Sequence, residues 1–180
     1  TSAGLDQYLG EAFTLYDKRS GLADNLIWDM LPIDDQLLIA TQSGLMISKF
    51  DKTSSSFETI RTFTPKDIEP LQVIRGGPGN HLWVVDATGG IWKGDPTGNE
   101  LLPLNSSLPI INCVEEVNGV IWLGTNDGVI VLNDDQPVEQ YTTETGLGGD
   151  RVNGIYYSKI KNETWISTLG GQLTLFREGR

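Results

Sequence analysis

Cysteine occurs once in the 180 residues, histidine once and methionine twice. A single thiol, Cys113, excludes an intrachain disulfide framework and a cysteine-rich zinc site. Its setting, Ile110-Ile111-Asn112-Cys113-Val114, reads as an apolar strand in which the thiol packs as a small hydrophobe. His81 follows Gly79-Asn80 at a turn, so any histidine-dependent catalysis would have to borrow a turn residue. Positive charge is scarce as well: 13 Lys and Arg against 24 Asp and Glu leave a net charge of −11. Phosphate backbones and anionic lipid surfaces are bound by Lys and Arg, so neither nucleic acid nor a membrane surface is an expected partner. The acidity reads as a solvated surface. No apolar run approaches the roughly 18 residues of a membrane span, and no signal peptide is present. The chain starts at Thr1, which reads as a processed protein or a piece excised from a longer one. Catalytic signatures are missing too. There is no Gly-x-Ser-x-Gly, no phosphate loop and no His-Glu-x-x-His, and Gly76-Gly77-Pro78-Gly79 lacks the following lysine that would make it more than a turn.

Glycine, by contrast, is plentiful at 21 residues, and its placement is regular. Ile121-Trp122-Leu123-Gly124-Thr125-Asn126-Asp127-Gly128 reads as a buried strand followed by a tight turn. Leu82–Gly89 and Thr164–Gly171 repeat that layout, and Leu38–Gly44 repeats it with Leu in place of Trp. In each copy a glycine falls six residues after the anchor: 38 to 44, 83 to 89, 122 to 128 and 165 to 171. The anchors are 45, 39 and 43 residues apart. A period of roughly 40–45 residues built from short strands is the mark of propeller blades.

The sequence therefore predicts an all-β fold, a β-propeller of four-stranded antiparallel blades, in one domain over 1–180. The blades cover about 22–64, 69–105, 109–143 and 150–177. Middle strands buried on both faces account for near-continuous apolar runs such as Val120–Leu123. The anchor Trp fills the wedge between blades, and Ala40, Gly124 and Ser167 are small where the packing is tight. Pro32 and Asp34-Asp35 are read as breaking the first two strands. Trp28 and Trp92 lie off the anchor register; core filling is the first reading for each and a partly exposed surface the second. The last blade lacks a fourth strand, while residues 12–16 resemble Val138–Tyr141, each strand running into a turn that ends in Gly-Leu. The N-terminal strand is accordingly expected to close the last blade.

Gly-Leu-x-x-Asn, a strand, then Trp-[Leu/Ile]-[Gly/Ser]-Thr-x-x-Gly resembles the repeat of the two-component regulator propeller family. It is carried by Gly21–Asn25 with Leu38–Gly44, by Leu108–Asn112 with Trp122–Gly128, and by Gly146–Asp150 with Trp165–Gly171. The second copy departs from it, with Val85-Asp86 at the small-Thr pair. The resemblance implies the extracytoplasmic sensor region of a bacterial regulator, periplasmic or extracellular. Such a module recognises a small molecule, a carbohydrate or a protein partner, with no catalysis, no cofactor and no metal. Four blades could close alone, pair with a second chain as a homodimer, or belong to a longer ring. A scaffold that only assembles complexes is the alternative function, and a carbohydrate-active enzyme the third.

Propellers bind on the face made by the loops between blades and the middle hairpin turns. In this register that face collects Asp24, Asn25, Gln42, Thr88, Asn126, Asp127, Asp150 and Arg151, the last a cation among acids. The carboxylate pairs Asp34-Asp35, Glu115-Glu116 and Asp134-Asp135 are adjacent in sequence and point to opposite faces of a strand, which disfavours a shared catalytic site. Asp95–Glu100 carries oxygen ligands, but Pro96 and the short loop do not fit an EF-hand. Asn105-Ser106-Ser107 and Asn162-Glu163-Thr164 match the glycosylation sequon.

Overall fold

Alternating side chains and turn chemistry set the strands. In a computed structural model, residues 5–8, 13–64, 68–95, 100–104 and 108–177 are described. β1 (Leu5–Tyr8) and β2 (Phe13–Tyr16) form a two-stranded sheet. β3 (Ile27–Ile33), β4 (Gln36–Thr41), β5 (Gly44–Asp51) and β6 (Ser56–Phe63) form a meander of four. β7 (Pro70–Gly76), β8 (His81–Asp86), β9 (Ile91–Gly94) and β10 (Leu101–Pro103) form the next. β11 (Ile111–Val117), β12 (Val120–Thr125), β13 (Gly128–Asn133) and β14 (Gln136–Tyr141) form the third. β15 (Val152–Ser158), β16 (Glu163–Thr168) and β17 (Gln172–Phe176) form a sheet of three. The chain divides into two compact units, 1–73 and 74–180, with the division inside β7.

In unit 2 the middle strands β12 and β13 each serve two cores. Side chains of β12 alternate in direction. Ile121 and Leu123 pack with Trp83, Val85 and Ile91, whereas Trp122 packs with Val152, Ile166 and Leu147. Burial on both faces explains why β12 is apolar throughout. The last sheet differs: Thr164, Ile166 and Thr168 are buried, while Trp165 between them is only half-buried. Tyr156 and Leu173 share Trp165's face and are each 63% exposed. The anchor register is thus right, and the burial of each anchor depends on what covers its sheet.

In unit 1, Tyr16 of β2 packs with Leu5, Leu22, Ile39, Met46 and Phe57. The expected clasp on the last sheet is not shown. β2 is paired to β1 and seated on the β3–β6 sheet, and no strand of the described residues pairs the second edge of β17. The physical reason is the Tyr16 ring, which meets Phe50 at 5.2 Å and Phe57 at 5.6 Å, both edge-on. β1 was not legible as a strand at all. Pro32 also lies inside β3, opposite Leu37, and the turn falls at Asp34 with φ +53°. β3 is the edge strand of its sheet, where a missing N–H costs no ladder bond.

Candidate ligand-binding loops

The middle hairpin turns are locked from within. Thr41 and Thr125 are fully buried, and each donates its hydroxyl to the carbonyl of the glycine three residues on, at 2.8 Å in both copies. Each hydroxyl also accepts an N–H from inside the turn, from Ser43 at 3.2 Å and Asp127 at 2.9 Å. Gly44 and Gly128 pair directly with these threonines. In the other two copies the turn is one residue longer: Thr168 pairs with Gln172, so Gly171 lies within the turn, and Gly89 does likewise, since Asp86 donates its N–H to Gly90. Gly-Gly at 89–90 and 170–171 was the available signal.

Asp86 explains the departure of the second copy from the repeat. Its carboxylate accepts from the Thr88 N–H, the Thr88 hydroxyl, the Gly90 N–H and Trp92 Nε1, at 2.6–2.9 Å. Burial alone would raise its pKa. The bonds from Thr88, Trp92 and Gly90 outweigh burial and hold the carboxyl below its ordinary value. Trp92 is accordingly a half-buried donor to this turn. Asp86→Asn is expected to cost roughly 1–3 kcal/mol near neutral pH. A depressed folded pKa contributes stability above the unfolded value, near 3.8, that is lost as pH falls through the folded one. Urea melts at pH 7 and pH 2.5 should therefore show the deficit shrinking in acid; an equal deficit at both would contradict this role.

The first strands carry a feature that the sequence did not reveal. Register shifts fall between Ile27 and Asp29, between Ile111 and Cys113, and between Val152 and Gly154. The extra residues, Trp28, Asn112 and Asn153, are all exposed, Trp28 at 51%. Bulges of this kind re-aim a side chain out of the ladder. In unit 2, Asn112 donates to Asn126 Oδ1 at 3.1 Å and to the Val152 carbonyl at 2.8 Å. Asn153 Oδ1 accepts from Ser167 Oγ at 2.8 Å. The amide face is backed by main-chain bonds from Gly128 to Asp150 and from Leu169 to Arg151.

The eight residues expected to bind ligand are therefore of two kinds. Asp24 accepts from Ser43 Oγ and the Leu26 N–H and pairs with Lys18 at 3.1 Å; those bonds hold its carboxyl well below the usual range. Asn25 and Asp150 accept the N–H of Lys18 and Thr143 at the heads of two matching 3-10 turns. Thr88 is bonded to Asp86. These four brace loops. Gln42 and Asp127 are exposed, Asn126 is half-buried and accepts from Asn112 through its Oδ1, and Arg151 is exposed with no ion pair among the described residues. Asn126, Asp127, Asp150 and Arg151 come together in unit 2; Asp24, Asn25 and Gln42 come together in unit 1. Asn112, Asn153 and Ser167 join the unit 2 group. Elsewhere, burial pushes the Cys113 thiol up to about 12, so it stays protonated. His81 is tied to the Gly94 carbonyl at 3.1 Å. The Asp95–Glu100 loop and the Asn105 sequon lie largely outside the described residues.

No protein-family model matches the chain, and no curated protein matches it by sequence. Solved structures do match. The extracellular domain of BT4673 from B. thetaiotaomicron, described as a hybrid two-component system, aligns with a TM-score of 0.77 at 19% identity, over 99% of this chain and 25% of that one. The likeness is one of fold. The extracellular domain of BT3049 from the same organism, also described as a hybrid two-component system, aligns with a TM-score of 0.66 at 18% identity, over 87% and 22% of the two chains. A computationally designed protein, Ika4, aligns at 0.61 and 13% identity over 85% of this chain and 91% of its own. The chain spans about a quarter of the length of the extracellular domains it matches. The comparisons thus bear on architecture alone, and no sequence match shows the family read from the repeat. The meanders of this chain are propeller-like, in five sheets with no closed ring shown.

Proposed function

We propose that the chain is a non-catalytic recognition module, its sheets serving as propeller blades, and that it binds a polar small molecule or carbohydrate through the loops of unit 2. The observation that carries this is the pair of bulges that turn Asn112 and Asn153 outward beside Asn126, Ser167 and Arg151. Amides offer a donor and an acceptor side by side, which suits vicinal hydroxyls, and a guanidinium with no ion pair among the described residues adds a fixed fork of donors. Such groups hold a ligand without supplying a base or nucleophile. The likeness to extracellular domains of two-component systems supports a sensor role at a periplasmic or extracellular location, in which binding is relayed to an effector. A protein partner bound at the corresponding loops of unit 1 is the second reading, favoured by exposed Trp28 at the matching bulge there.

The test is a glycan array followed by calorimetry of the best oligosaccharide with parent, Arg151→Ala and Asn153→Ala chains. Arg151→Ala is expected to lose about ten-fold in affinity or more, as removal of a charge-assisted hydrogen bond implies, and Asn153→Ala, which removes a neutral one, about three- to ten-fold. Unchanged far-ultraviolet dichroism would show that the fold is intact. Binding by Arg151→Ala equal to the parent would refute the assignment.

A further inference from the structure

Lys93 stands where every other copy of the repeat is aliphatic. It lies opposite the anchor Trp83, as Ile47 lies opposite Leu38, Val131 opposite Trp122 and Leu175 opposite Trp165. Its ammonium sits 5.3 Å from the Trp83 ring and donates to both carboxylate oxygens of Asp135, at 2.6 and 2.7 Å. Both side chains are part-buried, at 23% and 34% exposure. Packing alone does not ask for this pair, since exchanging a desolvated ion pair for apolar side chains is often neutral or stabilising. Asp135 departs from the unstrained choice as well. With Asp134 it forms the two-residue turn between β13 and β14, both residues left-handed at φ +48° and +65°. The turn between β11 and β12 is left-handed at both positions too, with Asn118-Gly119, and glycine is the residue that carries no strain there.

The two departures meet in one cavity of about 290 Å³ between β8–β9 and β12–β13, all within unit 2. Trp83, Ile121 and Leu132 form its apolar wall. His81 also lines it. The ring's Nδ1 donates to the Gly94 carbonyl at 3.1 Å, which leaves Nε2 of the neutral imidazole as an acceptor. Gly79 keeps that nitrogen uncovered, for a Cβ there would stand 2.8 Å from it. Asp134 faces the same space and has no hydrogen-bond or ion-pair partner among the described residues. Lys93 gives two of its three N–H groups to Asp135 and keeps one.

We propose that this cavity binds a small amino alcohol. Its ammonium is held by Asp134 and His81 Nε2, its hydroxyl accepts the remaining Lys93 N–H, and its carbon skeleton lies against Trp83. The lining decides this class. A free carboxylate and a bare ring nitrogen both accept, so the ligand must bring donors, and one cation among two carboxylates favours a ligand of positive charge. The group that meets Lys93 must accept without a negative charge of its own, because Asp134 stands in the same cavity. A hydroxyl does so. The volume corresponds to about ten waters at ~30 Å³ each, which admits one hexosamine or a short alkanolamine and excludes an oligosaccharide.

The probes are glucosamine and ethanolamine, each titrated near neutral pH into the intact chain, with N-acetylglucosamine and ethylene glycol as uncharged counterparts. Saturable chemical-shift changes at the Gly79 and His81 amides and the Trp83 indole are expected with each amine and not with its counterpart. Tighter glucosamine makes an amino sugar the source, tighter ethanolamine an alkanolamine; either upholds the proposal. Asp134→Asn should bind at least about ten-fold more weakly, as loss of a charged acceptor implies. The double variant, Lys93→Val with Asp135→Gly, copies the residues at the matching positions, Val131 and Gly119. It should unfold at a urea midpoint no lower than the parent's and still lose about ten-fold in affinity. Arg151→Ala should bind both amines as the parent does, which separates this cavity from the loop site. Equal binding by Asp134→Asn, equal shifts with the uncharged counterparts, or no saturable shift with either amine would overturn the proposal. So would a clearly lower midpoint for the double variant, since the ion pair would then be a structural lock between sheets.

Discussion

Trp122→Ala is expected to lower the unfolding free energy by about 3–5 kcal/mol, read as a drop in urea midpoint at unchanged slope. Three facts combine at this residue. The side chain is 4% exposed, so truncation opens a cavity rather than a surface. Its ring stacks on Tyr141 at 5.4 Å and meets Phe176 edge-on at 5.1 Å, which adds aromatic contacts to the burial. It also faces the core shared with Ile166 and Val152, so one truncation loosens two sheets. Trp165→Ala is the internal control, because the same anchor position is half-buried there. It should cost clearly less. Equal costs for the two would mean that stability follows the residue type and not the packing of sheet on sheet.

Gly44→Ala should cost about 3 kcal/mol or more, because two independent penalties fall on one methyl group. The backbone is at φ +113°, a conformation in which a non-glycine residue carries strain of roughly 1–3 kcal/mol. The added Cβ would also stand 1.9 Å from the Phe63 carbonyl oxygen. Backbone cannot rotate away as a flexible side chain can, so overpacking adds a further ~1–3 kcal/mol. Gly119→Ala separates the two effects: its φ is +84° with nothing within 4 Å among the described residues. It carries the strain alone, at about 1–2 kcal/mol. Chemical denaturation of the pair measures the difference, and a Gly44→Ala chain no weaker than Gly119→Ala would remove the close approach from the account.

What was legible in the sequence is what local chemistry encodes. The anchor, the small residue and the turn glycine recur at fixed offsets because each hairpin solves the same packing problem, and Gly124 shows why. A Cβ there would stand 2.4 Å from Cys113 Sγ and 2.7 Å from Val152 Cγ1. The bulges at Trp28, Asn112 and Asn153 were not legible, since a register shift leaves no residue signature of its own and depends on the partner strand. For that reason a reading of loop composition does not place Asn112 and Asn153 beside Asn126 and Ser167. The partners of β2 were not legible either. Its likeness to β14 marks it as a strand that runs into a Gly-Leu turn, but not that it pairs β1 or that Tyr16 packs with Phe50 and Phe57, contacts formed only by the folded chain.

The central claim is that alternate residues of one middle strand are buried against two different sheets. Nuclear Overhauser contacts from β12 side chains test it most directly. The Trp122 indole should show contacts to Tyr141 and Phe176, while the Ile121 and Leu123 methyls show contacts to Trp83 and Ile91. If Trp122 and Leu123 instead reported the same neighbours, or if either side of β12 reported only solvent, the strand would have one buried face and the sheets could not be stacked in series.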